Sequence, residues 1–127
     1  MDLIIGGTYQ GKLDYAKKRY GLTDRDVCTC SESEGITFGR RCLYRTEEFV
    51  LWCVRNGMDA VEILEQHQDE WKDSIFICED IFCGVVPLGA DMRAWREMTG
   101  RMCSYLSSRA SNVIRVFCGL EQVLKCS

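Results

Sequence analysis

Apolar residues fall along this chain in two kinds of pattern. Short apolar runs occur at residues 3–5 (Leu-Ile-Ile) and 74–78 (Ser-Ile-Phe-Ile-Cys), and residues 112–118 (Asn-Val-Ile-Arg-Val-Phe-Cys), interrupted by Arg115, read as the last clear strand. Runs of this length bounded by polar residues predict strands buried on both faces, as in a parallel sheet. Between them, apolar positions recur at helical spacing. A first helix runs through residues 14–20, with Lys17, Lys18 and Arg19 in its last turn and Gly21 as its stop. Thr46 is placed to cap a second, with Glu47 and Glu48 in its first turn, Phe49, Trp52 and Cys53 on one face, and Gly57 at its end. Asp59 with Glu62 forms a capping-box pattern opening a helix whose apolar positions are Ala60, Ile63, Leu64 and Trp71. Asp91 begins a long helix to about Ser108, striped by Trp95, Met98, Met102, Tyr105 and Leu106. Residues 26–30 fit a short second strand, 31–39 a polar loop, 82–89 a loop holding Pro87, and 122–125 a terminal strand after a turn at Gly119. Strands alternating with helices predict an α/β fold: a mainly parallel sheet flanked by helices in three layers, ending in a short hairpin.

Composition narrows this picture only a little. The 127 residues suit one domain and one core, residues 1–127, and no internal repeat or linker divides them. A net charge of −3 argues against broad nucleic-acid binding, which needs a basic surface. No apolar run reaches the roughly 20 residues of a membrane span, and the apolar start is too short for a signal peptide. The expectation is therefore a cytoplasmic, reducing setting in which the nine cysteines pack as small apolar residues. The single histidine, His67, lies between Leu64 and Trp71 on a helix face and reads as a packing residue.

Candidate chemistry concentrates at the amino terminus. After the first strand come Gly6, Gly7, Thr8, Tyr9, Gln10, Gly11 and Lys12, with the spacing G-x-x-x-x-G-K of a phosphate-binding loop. Glycines let backbone N–H groups turn inward on phosphate oxygens, the helix adds the positive end of its dipole, and Lys12 supplies a mobile charge. The next position commonly carries a hydroxyl for Mg2+; here it is Leu13, which cannot ligate a metal. Glu79 and Asp80, at the carboxyl end of the strand at 74–78, are the candidate Mg2+ ligands, Asp80 also for activating a substrate hydroxyl. Arg40, Arg41 and Arg45 form a basic patch that is either solvated surface or a phosphate clamp.

The residues 4–16 (IIGGTYQGKLDYA), 79–102 (EDIFCGVVPLGADMRAWREMTGRM) and 113–125 (VIRVFCGLEQVLK) resemble, in order, three motifs of the adenosylcobinamide kinase / adenosylcobinamide-phosphate guanylyltransferase family. The matches include Gly6, Gly7, Gly11 and Lys12 in the first, Asp80, Gly84, Val86 and Pro87 in the second, and Arg93, Trp95, Arg96, Glu97 and Gly100 in the helix after it. The resemblance implies a P-loop NTPase-like fold and binding of ATP or GTP with Mg2+. Gly6 to Leu13 would bind the nucleotide, Lys12 and Asp80 would be catalytic, a corrinoid would be the phosphoryl acceptor, and the assembly would be a homo-oligomer, a trimer in the family. The chain is shorter than the family between residues 21 and 73, and lacks the histidine-bearing segment there. Guanylyl transfer needs a histidine nucleophile, so that half-reaction is expected to be lost. Two readings stay open: a reduced cobinamide kinase-like enzyme of cobalamin biosynthesis ancestry, and a non-catalytic relative that serves as a binding or assembly module.

Overall fold

A computed structural model describes residues 1–7, 10–81 and 89–126. Its centre is β1 (Asp2–Gly6), flanked by β4 (Ile75–Glu79) and β5 (Asn112–Phe117), both parallel to it. Outward from β4 lie β3 (Cys42–Tyr44) and β2 (Val27–Thr29); outward from β5 lies β6 (Leu120–Cys126). The sheet order is β2-β3-β4-β1-β5-β6, with only β6 antiparallel. The register sets Leu3 beside Phe76 and Val113, and Ile4 beside Ile77 and Ile114. Alternate residues face opposite sides, so these two rows feed two separate cores.

The core on the first side takes α2 (Thr46–Arg55), α3 (Ala60–Gln66), α4 (Gln68–Trp71) and α5 (Ala90–Arg109), with Phe49, Leu64, Trp71, Met102 and Leu106 fully buried against Leu3 and Phe76. The other takes α1 (Lys12–Tyr20), whose Ala16 packs against Ile4, Ile77, Ile114 and Val116. Helices on both faces explain why β1 and β4 are apolar without alternation: neither face sees water. Each fully buried side chain of this size contributes about 1.5–3 kcal/mol relative to exposure.

Several local expectations change. Thr46 is the first helical residue of α2 rather than its cap; the N-cap is Arg45, in the left-handed region at φ 59°, and the Thr46 hydroxyl instead donates to the buried Ile77 carbonyl at 3.1 Å. The helix read over 59–71 is two helices broken at His67. There the Leu64 carbonyl accepts the Trp71 indole N–H at 2.7 Å, together with the His67 amide, instead of the helical i+4 donor. Asp59 does cap α3, accepting from the Val61 and Glu62 amides. Asp26 belongs to a 3-10 turn over Asp24–Asp26, so β2 starts one residue later. α5 is preceded by Gly89 at φ 86°, not by Asp91. The proline loop over 82–88 lies outside the described residues. Among the described residues no helix is long and apolar enough to cross a membrane.

Candidate functional site

Chain reversal beside β1 sets the site. From β1 the chain passes to the β2 edge and works back through β3 to β4; it then crosses to β5 on the other side of β1. The crevice outside the carboxyl ends of the strands therefore opens at Gly6, where open α/β sheets bind ligands. Gly6 itself is fixed on both sides. Its carbonyl accepts the Asp80 amide at 2.7 Å, and a Cβ added to it would stand 2.5 Å from the Val116 carbonyl oxygen. No side chain fits there.

From Gly7 the chain turns into α1. Gly11 holds φ 84° and ψ 24° as the N-cap, a left-handed conformation that glycine adopts without steric cost. The exit of the turn is fastened to the β5–β6 turn. The Gln10 side-chain oxygen accepts from the Cys118 amide at 2.6 Å, and its backbone carbonyl accepts from the Gly119 amide at 2.9 Å. Lys12 is buried, 7% exposed, with its stem crossing Gly6 and its ammonium donating to the Gly7 carbonyl at 2.6 Å. It thus stands at the mouth of the glycine turn.

A cleft of about 390 Å³ opens beside this turn, lined by Gly11, Lys12, Leu13, Tyr44, Arg45 and Glu79, among others. A second groove, of about 550 Å³, shares Gly11 and Asp14 with it and continues past Tyr15, Arg19 and Glu121. There the Glu121 carboxylate accepts from the Tyr15 hydroxyl and pairs with the Arg19 guanidinium. The two spaces form one surface around the start of α1.

Of the residues singled out from the sequence, Gly6, Gly7, Gln10, Gly11, Lys12 and Leu13 come together here, and Glu79 joins them across the cleft. Asp80 follows directly and is tied by its amide to Gly6. Thr8 and Tyr9 lie outside the described residues. The basic patch divides. Arg45 lines the cleft, its guanidinium over the Tyr44 ring at 5.7 Å. Arg40 and Arg41 sit at the other end of the sheet, where they bond the Arg25 and Tyr20 carbonyls at 2.7 and 2.9 Å. His67, half-buried, stacks on Phe38 at 4.8 Å and pairs with the Glu70 carboxylate three residues on.

One residue was not legible as a site residue. Glu47 is 3% exposed, and its carboxylate accepts the Glu79 amide at 2.9 Å while its carbonyl accepts the Trp95 indole N–H at 2.7 Å. Burial pushes its carboxyl above the usual range, with the Glu79 amide pulling the other way. Glu47 therefore braces β4 and α5 directly behind the cleft. At the sequence level it looked like an acid suited to a helix N-terminus, and only tertiary packing distinguishes it from Glu48.

Could Mg2+ be held here? Leu13 offers no oxygen, and one Glu47 oxygen is committed to the Glu79 amide. Among the described residues no group of three His, Cys, Asp or Glu side chains could hold a metal ion. Mg2+ in nucleotide sites takes one or two carboxylates and completes its shell with phosphate oxygens and water. Glu79 lines the cleft and offers one such carboxylate.

No protein-family model and no curated protein matches this chain.

Proposed function

We propose that this protein binds a nucleoside phosphate in the cleft at the carboxyl end of β1, with a phosphate group received by the glycine turn. The observation that carries this reading is Lys12: a buried lysine whose ammonium is held at the mouth of a glycine turn, between a central parallel strand and a helix N-terminus. Backbone N–H groups of the turn and the α1 dipole favour an anion there. Lys12 exchanges its bond to the Gly7 carbonyl for phosphate oxygens, and Arg45 supplies a second cation from the facing wall. The connecting groove along Tyr15 and Arg19 has the size of a ligand pocket and suits the nucleoside. This reading makes the fold P-loop NTPase-like, in keeping with the family resemblance.

Catalysis is the harder step. A kinase acting on a cobinamide hydroxyl would use Lys12 to stabilise the transferring phosphoryl group. Asp80 would orient or deprotonate the acceptor, and Mg2+ would be held by Glu79, Asp80 and the phosphates. Leu13 favours the other reading, a binding or assembly module without turnover: it is an apolar residue where a metal-binding hydroxyl is commonly found. The fully degenerate guanylyl-transfer half follows from the lack of any histidine other than His67.

Titration with ATP and GTP, each with and without Mg2+, separates these cases. Saturable binding that Lys12→Ala abolishes supports the cradle; no binding at millimolar nucleotide removes it. Formation of cobinamide phosphate would establish the kinase. The oligomer implied by the resemblance is read independently by light scattering, where a trimer supports a shared assembly and a monomer counts against it.

A further inference from the structure

Among the described residues, Cys78 and Cys103 are a closely opposed pair of reactive side chains outside the cleft. Cys78 ends the apolar part of β4, buried and one residue before Glu79; Cys103 lies on α5 and is half-buried. Their sulfurs are 3.7 Å apart. We propose that these two thiols form an oxidation site, closing to a disulfide that joins β4 to α5 behind the cleft.

Geometry and selectivity both favour this pair. A disulfide needs its sulfurs at about 2.05 Å, so they must approach by roughly 1.6 Å, a distance that side-chain rotation and a small helix shift can supply. Cys103, half-buried where Cys78 is buried, is the one an oxidant reaches. The other buried cysteines are poorer targets: burial raises the Cys30, Cys42 and Cys53 thiols, keeping them protonated.

The oxidant is hydrogen peroxide or a peroxide of similar size. The Cys103 thiolate attacks one peroxide oxygen, breaking the O–O bond to give Cys103 sulfenic acid and hydroxide, which takes up a proton to become water. Cys78 loses its proton as its sulfur attacks the sulfenic sulfur, and a second water leaves. Two thiols and one peroxide thus give one disulfide and two waters. A thiol reductant such as dithiothreitol restores the pair.

The test treats the full chain with one equivalent of peroxide, blocks remaining thiols with iodoacetamide, and digests with trypsin and a glutamate-specific protease. Residues 73–79 and 102–109 are released as peptides with one cysteine each. The expected product is these two peptides linked, two hydrogens lighter than the sum of the separate thiol peptides and lost on dithiothreitol treatment. A rise in Tm on oxidation, absent in Cys103→Ser, accompanies it; Cys103→Ser replaces the half-buried partner and is the variant expected to fold. Both peptides recovered alkylated while other cysteines are oxidised would overturn the proposal. So would Cys103 as a sulfinic acid opposite alkylated Cys78, or a link from either cysteine to a different partner.

Discussion

Two adjacent glycines open the turn, and alanine at each has very different consequences. In Gly6→Ala the new Cβ stands 2.5 Å from the Val116 carbonyl oxygen and 3.3 Å from the Lys12 Cδ. The Lys12 stem can shift. The Val116 carbonyl cannot easily, because β5 is paired on both edges, with β1 and with β6. Overpacking of this kind costs about 1–3 kcal/mol, and the clash with backbone places Gly6→Ala at the upper end. Removing glycine from a strand returns about 0.5–1 kcal/mol, leaving a net loss of about 2 kcal/mol. In Gly7→Ala the nearest described atom is the Gln10 Cγ at 3.7 Å, an ordinary contact, so its change stays within about 0.5 kcal/mol. Urea unfolding of the two variants and the parent measures both: with a slope of about 1–3 kcal/mol per molar, Gly6→Ala lowers the midpoint by roughly 1 M and Gly7→Ala barely moves it. Equal midpoints for the two variants would refute the reasoning, since it assigns the whole difference to one backbone oxygen.

Glu47 gives a pH prediction. Its carboxyl is raised in the folded protein above its ordinary value of 4.5, so the folded state holds its proton more tightly than the unfolded chain. The stability this supplies is full below that value and lost as pH rises through the folded value. Glu47→Gln keeps an acceptor for the Glu79 amide and does not titrate, so its stability relative to the parent climbs between pH 4 and pH 7 in urea titrations; a constant difference counts against burial as the cause. Arg45→Gly relieves a left-handed residue other than glycine, worth about 1 kcal/mol. It should leave the urea midpoint unchanged or higher while weakening nucleotide binding by roughly tenfold, about 1.4 kcal/mol for one charge-assisted contact. Gln10→Ala removes the acceptor of the exposed Cys118 amide, costing about 0.5 kcal/mol because water replaces it. Faster hydrogen exchange confined to the Cys118 and Gly119 amides is the measurement.

The sequence alone determined the alternation of strands and helices, the apolar strands of a sheet covered on both sides, and the glycine turn with its lysine. These are local matters: hydrophobic period and backbone freedom are written residue by residue, and Gly6 to Lys12 sit within one turn of each other. It could not show that Arg45 and not Arg40 or Arg41 faces the cleft, because the three arginines share composition and neighbourhood. Their fates split only because β3 lies between them and delivers its two ends to opposite sides of the sheet. Nor could it mark Glu47 from Glu48, Thr46 as a partner of Ile77, or Cys78 as a neighbour of Cys103. Each of those pairings joins residues about 25 to 32 positions apart, and which side chain meets which is set by the sheet order and by the face each helix buries. Pattern told most segments apart, though not β3 or the break at His67; packing alone chose their partners.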